Sequence, residues 1–217
     1  MAVIDPGPDV DLHVRALASA VSRADEVIIL ITHDHSDHAA AAGALSRRTG
    51  ADVVGPVGAD SVSRVLSDGV AVETDEGELV AVSTPGHAQE HYCFWWRERR
   101  ALFAGDLVLG KGDTTWVAGY PGCVSDYLDS IARVRGLVPE VVYPAHGPPI
   151  VDVVEALARY EDHRRDRVHQ VREALSAHPD AGSEELLDVV YGPIPQAMRG
   201  PARESLEALV DFVRDAR

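Results

Sequence analysis

The chain has one lysine, Lys111, two cysteines, and aromatic residues at only 6% of its 217 positions. Cys93 and Cys123 are too few for a disulfide framework, and neither sits in a C-x-x-C pair or beside a histidine cluster, so both read as ordinary buried thiols. Cations are scarce altogether: 20 Lys and Arg against 35 Asp and Glu give a formal net charge of −15. That balance opposes non-specific affinity for phosphate backbones, which depends on clustered cations releasing counterions. A local basic track remains possible, and only Arg97, Arg99, Arg100 and the cluster from Arg164 to Arg167 could form one. The chain also lacks an apolar run of about 18 residues and a basic-plus-apolar leader, which argues against a membrane span and a secretory signal and leads us to expect a cytoplasmic protein.

Histidine, by contrast, is concentrated in one place. Thr32-His33-Asp34-His35-Ser36-Asp37-His38 follows the apolar, β-branched run Val27 to Ile31, which fits a buried strand, and precedes an Ala-rich stretch that fits a helix capped by Ser36. Residues two apart in extended backbone point the same way, so His33 and His35 can grip one cation from one side. Asp37 and His38, entering the helix, turn toward a neighbouring position. Imidazole nitrogens and carboxylate oxygens suit zinc at roughly 2.0 to 2.2 Å, with a place left open for water in a catalytic site. Two adjacent metal sites are implied.

Along the chain, Ala2 to Asp5 reads as a strand running into the turn Pro6-Gly7-Pro8. Val10, Val14, Leu17 and Val21 recur at helical spacing. A helix ending near Gly50, a strand at Val53-Val54, a helix over 61–66 and a hairpin through Asp75-Glu76-Gly77 are expected next. Three further strand ends carry metal-type side chains: His87 after Thr84-Pro85-Gly86, Asp106 after Gly105, and His146 after Tyr143-Pro144-Ala145. Strand ends are where open α/β sheets assemble their sites. A helix from Ser125 to about Arg135 lies between the last two. Beyond Pro149 the pattern is helical only: a long helix to about His178, one over 183–191, and one after Pro201. A boundary near residue 150 separates residues 1–150 from 151–217.

T-H-D-H-S-D-H, P-G-H at Pro85 to His87, F-A-G-D at Phe103 to Asp106 and Y-P-A-H-G-P at Tyr143 to Pro148 together resemble the ordered motifs of the metallo-β-lactamase-fold hydrolases. The stretch after Asp106 and the helical tail are similar to a subgroup with a C-terminal winged-helix-like domain, which includes a lactamase-B-like endoribonuclease. The resemblance implies an α/β fold, an αβ/βα sandwich of two mixed sheets with helices outside, followed by a small all-helical domain. It implies one zinc on His33, His35 and His87, a second on Asp37, His38 and His146, and Asp106 bridging them, with iron or manganese as alternatives. Asp5 matches an acidic position that orients ligand histidines, although a turn residue before Pro6 explains it equally well. His91 matches a further histidine that could orient substrate or a ligand, or could be a half-exposed strand residue. The family also has one or two strands ahead of the equivalent of Ala2, and the subgroup has a β wing after its last helix. Neither is in this sequence, so an edge of the first sheet is expected to be exposed or otherwise covered.

The implied function is binuclear hydrolysis with a metal-bridging hydroxide as nucleophile and Asp37, Asp106 and His91 in catalytic roles. The acidic composition favours a small-molecule ester, thioester or related acyl bond. No clear counterpart of the basic glutathione-holding residues of hydroxyacylglutathione hydrolase stands among the tail arginines. Single-stranded RNA is the alternative substrate, reached over the arginines named above. A non-enzymatic nucleic-acid-binding tail is weaker, because Glu204, Glu207 and Asp211 crowd the last helix. Lys111 and Thr114 could line the site's mouth, or simply lie on a solvated loop. The oligomeric state is not legible.

Overall fold

Residues 1–215 are described by a computed structural model. β1 (Ala2–Ile4), β2 (Ile28–Leu30), β3 (Asp52–Gly55) and β4 (Arg64–Val65) form one sheet in sequence order, every pairing parallel. The second sheet runs β5 (Ala71–Thr74), β6 (Gly77–Ser83), β7 (Tyr92–Trp96), β8 (Ala101–Gly105), β9 (Val141–Pro144), antiparallel except for the parallel β8/β9 pair. Parallel neighbours need crossovers, and these supply the outer helices. α1 (Asp11–Ala20), α2 (Ser36–Ala39) and α3 (Ala42–Thr49) belong to the first sheet. α4 (Cys123–Leu137) joins β8 to β9, and α5 (Val153–Ala177), α6 (Ser183–Tyr191) and α7 (Gln196–Asp215) follow.

Three apolar layers hold this together. Val14, Ile29, Ile31, Leu45 and Val53 fill the space between the first sheet and its helices. Leu30, Val54, Val72, Leu79, Tyr92 and Phe94 lie between the sheets. The largest layer joins the second sheet to α4 and the tail, with Leu102, Tyr127, Ile131, Leu157, Tyr160, Leu187 and Leu206 in one continuous cluster. The result is the expected α/β sandwich, with a helical tail that shares the core of the second sheet.

Four local expectations are corrected. Only the second sheet is mixed; the first is wholly parallel among the described residues. Residues 61–66 are not a helix. Ser63 N–H donates to Val53 O at 2.8 Å, Leu66 N–H to Gly55 O at 2.8 Å, and Arg64 and Val65 pair with the open edge of β3. Ser36 is the first residue of α2 and makes no capping bond; His35 precedes the helix in extended backbone. The helix then breaks before α3, because the turn after β1 inserts there: Gly7 N–H takes the His38 carbonyl at 3.0 Å and Ala41 N–H takes the Gly7 carbonyl at 2.9 Å. Finally, α7 starts at Gln196, ahead of Pro201. Proline there costs one backbone donor, which the buried face of Leu206, Leu209, Val210 and Val213 outweighs.

β1 pairs only with β2, so its outer edge is free of strand partners among the described residues. Beside it a cavity of about 650 Å³ opens between the sheets, walled by Ile4, Leu79, Trp96, Phe103 and Tyr143 and ending at Asp37, His38 and His146. No helix among the described residues is long and apolar enough to cross a membrane.

Candidate metal centre

The ends of β1, β2, β6, β8 and β9 converge on one edge of the sandwich. There, His33 Nε2 and His87 Nε2 lie 3.0 and 3.1 Å from His35 Nδ1. Nitrogens around a tetrahedral zinc with bonds of about 2.05 Å would be separated by about 3.3 Å, so the three already stand near a ligand's spacing. Next to them, Asp37 Oδ2 is 3.3 Å from His146 Nε2 and 3.7 Å from His38 Nε2. Asp106 stands between the two groups: Oδ2 is 3.6 Å from His38 Nε2 and 3.7 Å from His87 Nε2, and Oδ1 is 3.6 Å from His146 Nε2. All seven side chains expected to meet do meet.

Each histidine of the inner group has its other nitrogen tied down or its ring packed. Asp5 Oδ1 accepts the Thr32 N–H at 2.8 Å, and Oδ2 accepts both the Thr32 hydroxyl at 2.7 Å and His38 Nδ1–H at 2.9 Å. Because its hydrogen goes to Asp5, the Thr32 hydroxyl must accept from His33 Nδ1–H, at 2.9 Å. His87 Nδ1–H donates to the Trp116 carbonyl at 2.9 Å. These bonds place a hydrogen on Nδ1 of His33, His38 and His87 and turn their Nε2 inward, while His35 turns its Nδ1 to the group, the kind of orientation metal-binding histidines require. Of the two readings left open for Asp5, the structure shows the orienting contacts; its φ of +47 is a strained value for a non-glycine residue. His91 is fully buried beneath the cluster, not half-exposed. It donates from Nδ1 to Thr84 Oγ1 at 2.8 Å, and its Nε2 accepts the Asp106 N–H at 3.2 Å. Burial, then the charges of His87 and other neighbouring imidazoles, push its pKa down to about 3, so it is neutral.

The electrostatics call for a cation. His38 Nε2 and Asp106 Oδ1 are buried without hydrogen-bond partners, an expensive arrangement unless another group satisfies them. Burial works against a charged His38, yet the Asp106 and Asp5 carboxylates facing it outweigh that and raise its pKa to about 10. Burial likewise works against an ionised Asp106, but His38, His87 and His146 hold its pKa below the usual value. The pocket's carboxylates thus hold positive charge wherever they can find it. Three groups of side chains offer ligand atoms within 4.8 Å of one another: His33, His35, His87; Asp37, His38, His146; and Asp5, His33, His38. The third is a by-product of Asp5 orienting His38. Nitrogen and carboxylate donors without thiolate fit zinc, iron or manganese alike.

Glycines permit the close packing behind the ligands. At Gly105, φ is +50, and a Cβ would fall 2.7 Å from His91 Nε2 and 2.8 Å from Thr32 Oγ1. At Gly110 a Cβ would fall 2.2 Å from the Pro148 carbonyl oxygen, while Gly110 N–H donates to the His146 carbonyl at 2.8 Å. Sequence reasoning did not find Thr32, Thr84 or Trp116 as supporting residues. Lys111 and Thr114 are exposed on the loop after Asp106 and do not line the large cavity. Cys93 and Cys123 are buried free thiols, as expected.

The model of the metallo-beta-lactamase superfamily matches residues 2–64 and 55–146, which include every candidate ligand. The chain belongs to that superfamily. It is 30% identical over 219 residues to the Beta-lactamase-like protein 2 homolog of Caenorhabditis elegans, covering 96% of this chain and 72% of that protein. It is 31% identical over 231 residues to an atrochrysone carboxyl ACP thioesterase of Aspergillus chevalieri, covering 99% and 72%. Of two other fungal relatives it spans 65% and 56% of the length. A beta-lactamase domain protein from Burkholderia ambifaria has the same fold, with a TM-score of 0.86 over 99% of this chain and 77% of its own, at 18% identity. The superfamily binds divalent metal ions, and this chain is one of its hydrolases.

Proposed function

We propose that this chain hydrolyses acyl thioesters, or closely related esters, carried on an apolar acyl group. The observation that carries this reading is the groove. Its walls, Ile4, Leu79, Trp96, Phe103 and Tyr143, are apolar, and its inner end is formed by Asp37, His38 and His146. Phe103 and Tyr143 stack at 5.3 Å between centroids, giving a flat face suited to a planar or extended acyl chain. A relative named as an acyl-carrier-protein thioesterase agrees with it.

In this reading His33, His35 and His87 hold one divalent ion, Asp37, His38 and His146 a second, and Asp106 stands between both. The ions, zinc by preference, would lower the pKa of water toward about 7 and polarise the acyl carbonyl. His91 acts through Asp106 rather than on substrate, because its nitrogens are taken by Thr84 and the Asp106 backbone. Asp37, whose side chain is 56% exposed, is the cluster's most solvent-accessible carboxylate. Residues 1–150 carry the chemistry, and the described part of the tail, residues 151–215, as the helical part of a winged-helix-like unit, braces one side of the site.

The RNA alternative loses its track. Arg164 is buried, Arg99 pairs with Glu76, Arg100 with Glu140 and Arg165 with Glu161, and Arg167 lies over the Tyr191 ring. Asp75 and Glu76 stand at the groove itself. The test is turnover of uncharged S-acyl-N-acetylcysteamine thioesters by zinc-, iron- and manganese-loaded protein, read as free thiol. We expect benzoyl and octanoyl thioesters to be cleaved at lower KM than acetyl. Absence of turnover with every metal, or cleavage of single-stranded RNA that is lost in a His35→Ala, Asp106→Ala double variant, would overturn the thioester reading.

A further inference from the structure

Arg164 lies in the middle of α5 and is only 3% exposed. A buried guanidinium is normally matched by a carboxylate, because taking a charge out of water is costly. Among the described residues no carboxylate pairs with this one. Its Nε is buried without a hydrogen-bond partner, and its Cζ lies 5.2 Å from the Tyr127 ring centroid. Its one hydrogen bond among the described residues runs from Nη2 to the Thr115 carbonyl, at 3.0 Å, across 49 positions of sequence. A charge held at such cost for a single backbone carbonyl directs attention to what that carbonyl controls.

Thr115 and Trp116 belong to the irregular segment between β8 and α4, which has no ladder of its own to hold it. The Trp116 carbonyl accepts His87 Nδ1–H at 2.9 Å, the Thr115 hydroxyl stands 3.4 Å from the same nitrogen, and the Trp116 ring lies 5.9 Å from the His87 ring. The segment is clipped a second time by Tyr160, one helical turn before Arg164. Leu109 N–H donates to its hydroxyl at 2.9 Å, and that hydroxyl donates to the Leu109 carbonyl at 3.0 Å. Residues four apart share a helix face, so α5 presents Tyr160 and Arg164 together to two points of this segment, Leu109 and Thr115.

We propose that Arg164 is a positioning residue for the metal centre: by holding the Thr115 carbonyl it sets the Trp116 carbonyl that orients His87. The helical tail thereby reaches the three-histidine group through one side chain. This rests on the metal-binding reading above, and Co²⁺ serves as the probe because its visible band reports ligand geometry without any substrate. Arg164→Met keeps the apolar stem and removes the donor; Arg164→Gln keeps an amide too short to reach. Either should weaken Co²⁺ binding at the three-histidine group about tenfold and shift the band, the scale seen when a ligand's supporting partner is lost. Arg164→Lys, which can still donate to one carbonyl, should bind within about threefold of wild type. Tyr160→Phe, which releases only the second clip, at Leu109, should leave the band in place. A Met or Gln variant that folds, melts earlier, and yet binds Co²⁺ with wild-type affinity and band would overturn the proposal and leave Arg164 a packing residue. Wild-type protein that gives no Co²⁺ band would instead overturn the metal reading beneath it.

Discussion

The two halves of the candidate centre use the same donor chemistry with unequal support. His33 and His87 are 0% and 5% exposed, and each has its outer nitrogen committed to a neighbour, Thr32 and the Trp116 carbonyl. On the other side only His38 is so held, through Asp5; the side chains of Asp37 and His146 are 56% and 50% exposed. Preorganised ligands give up less freedom on binding, and burial strengthens their attraction for a cation. The contrast therefore predicts a tight ion on the three histidines and a looser, exchangeable one beside the groove, where substrate would approach.

The comparison can be broken at several points. Removing a ligand of the tight half should do most harm: His33→Ala should abolish the first ion and lower kcat/KM on the order of 10³-fold, measured with metal analysis on the same sample. Asp5→Ala should come next. It leaves every ligand in place but frees His38 and Thr32, and should weaken metal binding about 10- to 100-fold, chiefly at the looser half. Phe103→Ala tests the groove rather than the metals; losing its ring face should raise KM for a benzoyl thioester about tenfold, roughly 1.4 kcal/mol, with metal content unchanged. The smallest effect belongs to Ser36, which lies between His35 of one half and Asp37 of the other. Ser36→Ala should change the melting temperature by less than a degree or so, where a true N-cap would cost about 1 kcal/mol.

The same contrast separates what the sequence made legible from what it hid. The ligands were readable because each ends a short apolar run, and strand ends in a parallel arrangement must meet at one edge of the sheet. The supporting contacts were not, since Thr32, Thr84 and Trp116 are ordinary residue types whose role depends on distant partners. The break between α2 and α3 was hidden for the same reason: its cause is the turn at Gly7, some thirty positions earlier. Residues 61–66 failed as a helix because a sheet edge offered them better partners. Arg164 had a signal that went unread. It falls in the apolar stripe Val153, Leu157, Tyr160, Val168, Val171, Leu175, at three- and four-residue steps, where a charged residue must be buried.

The most direct test is calorimetric titration of metal-free protein with Zn²⁺, run on wild type, His33→Ala and Asp37→Ala. Two binding events are predicted for wild type, the tighter lost in His33→Ala and the weaker lost in Asp37→Ala. A wild-type titration with one weak event that neither substitution alters would contradict the account.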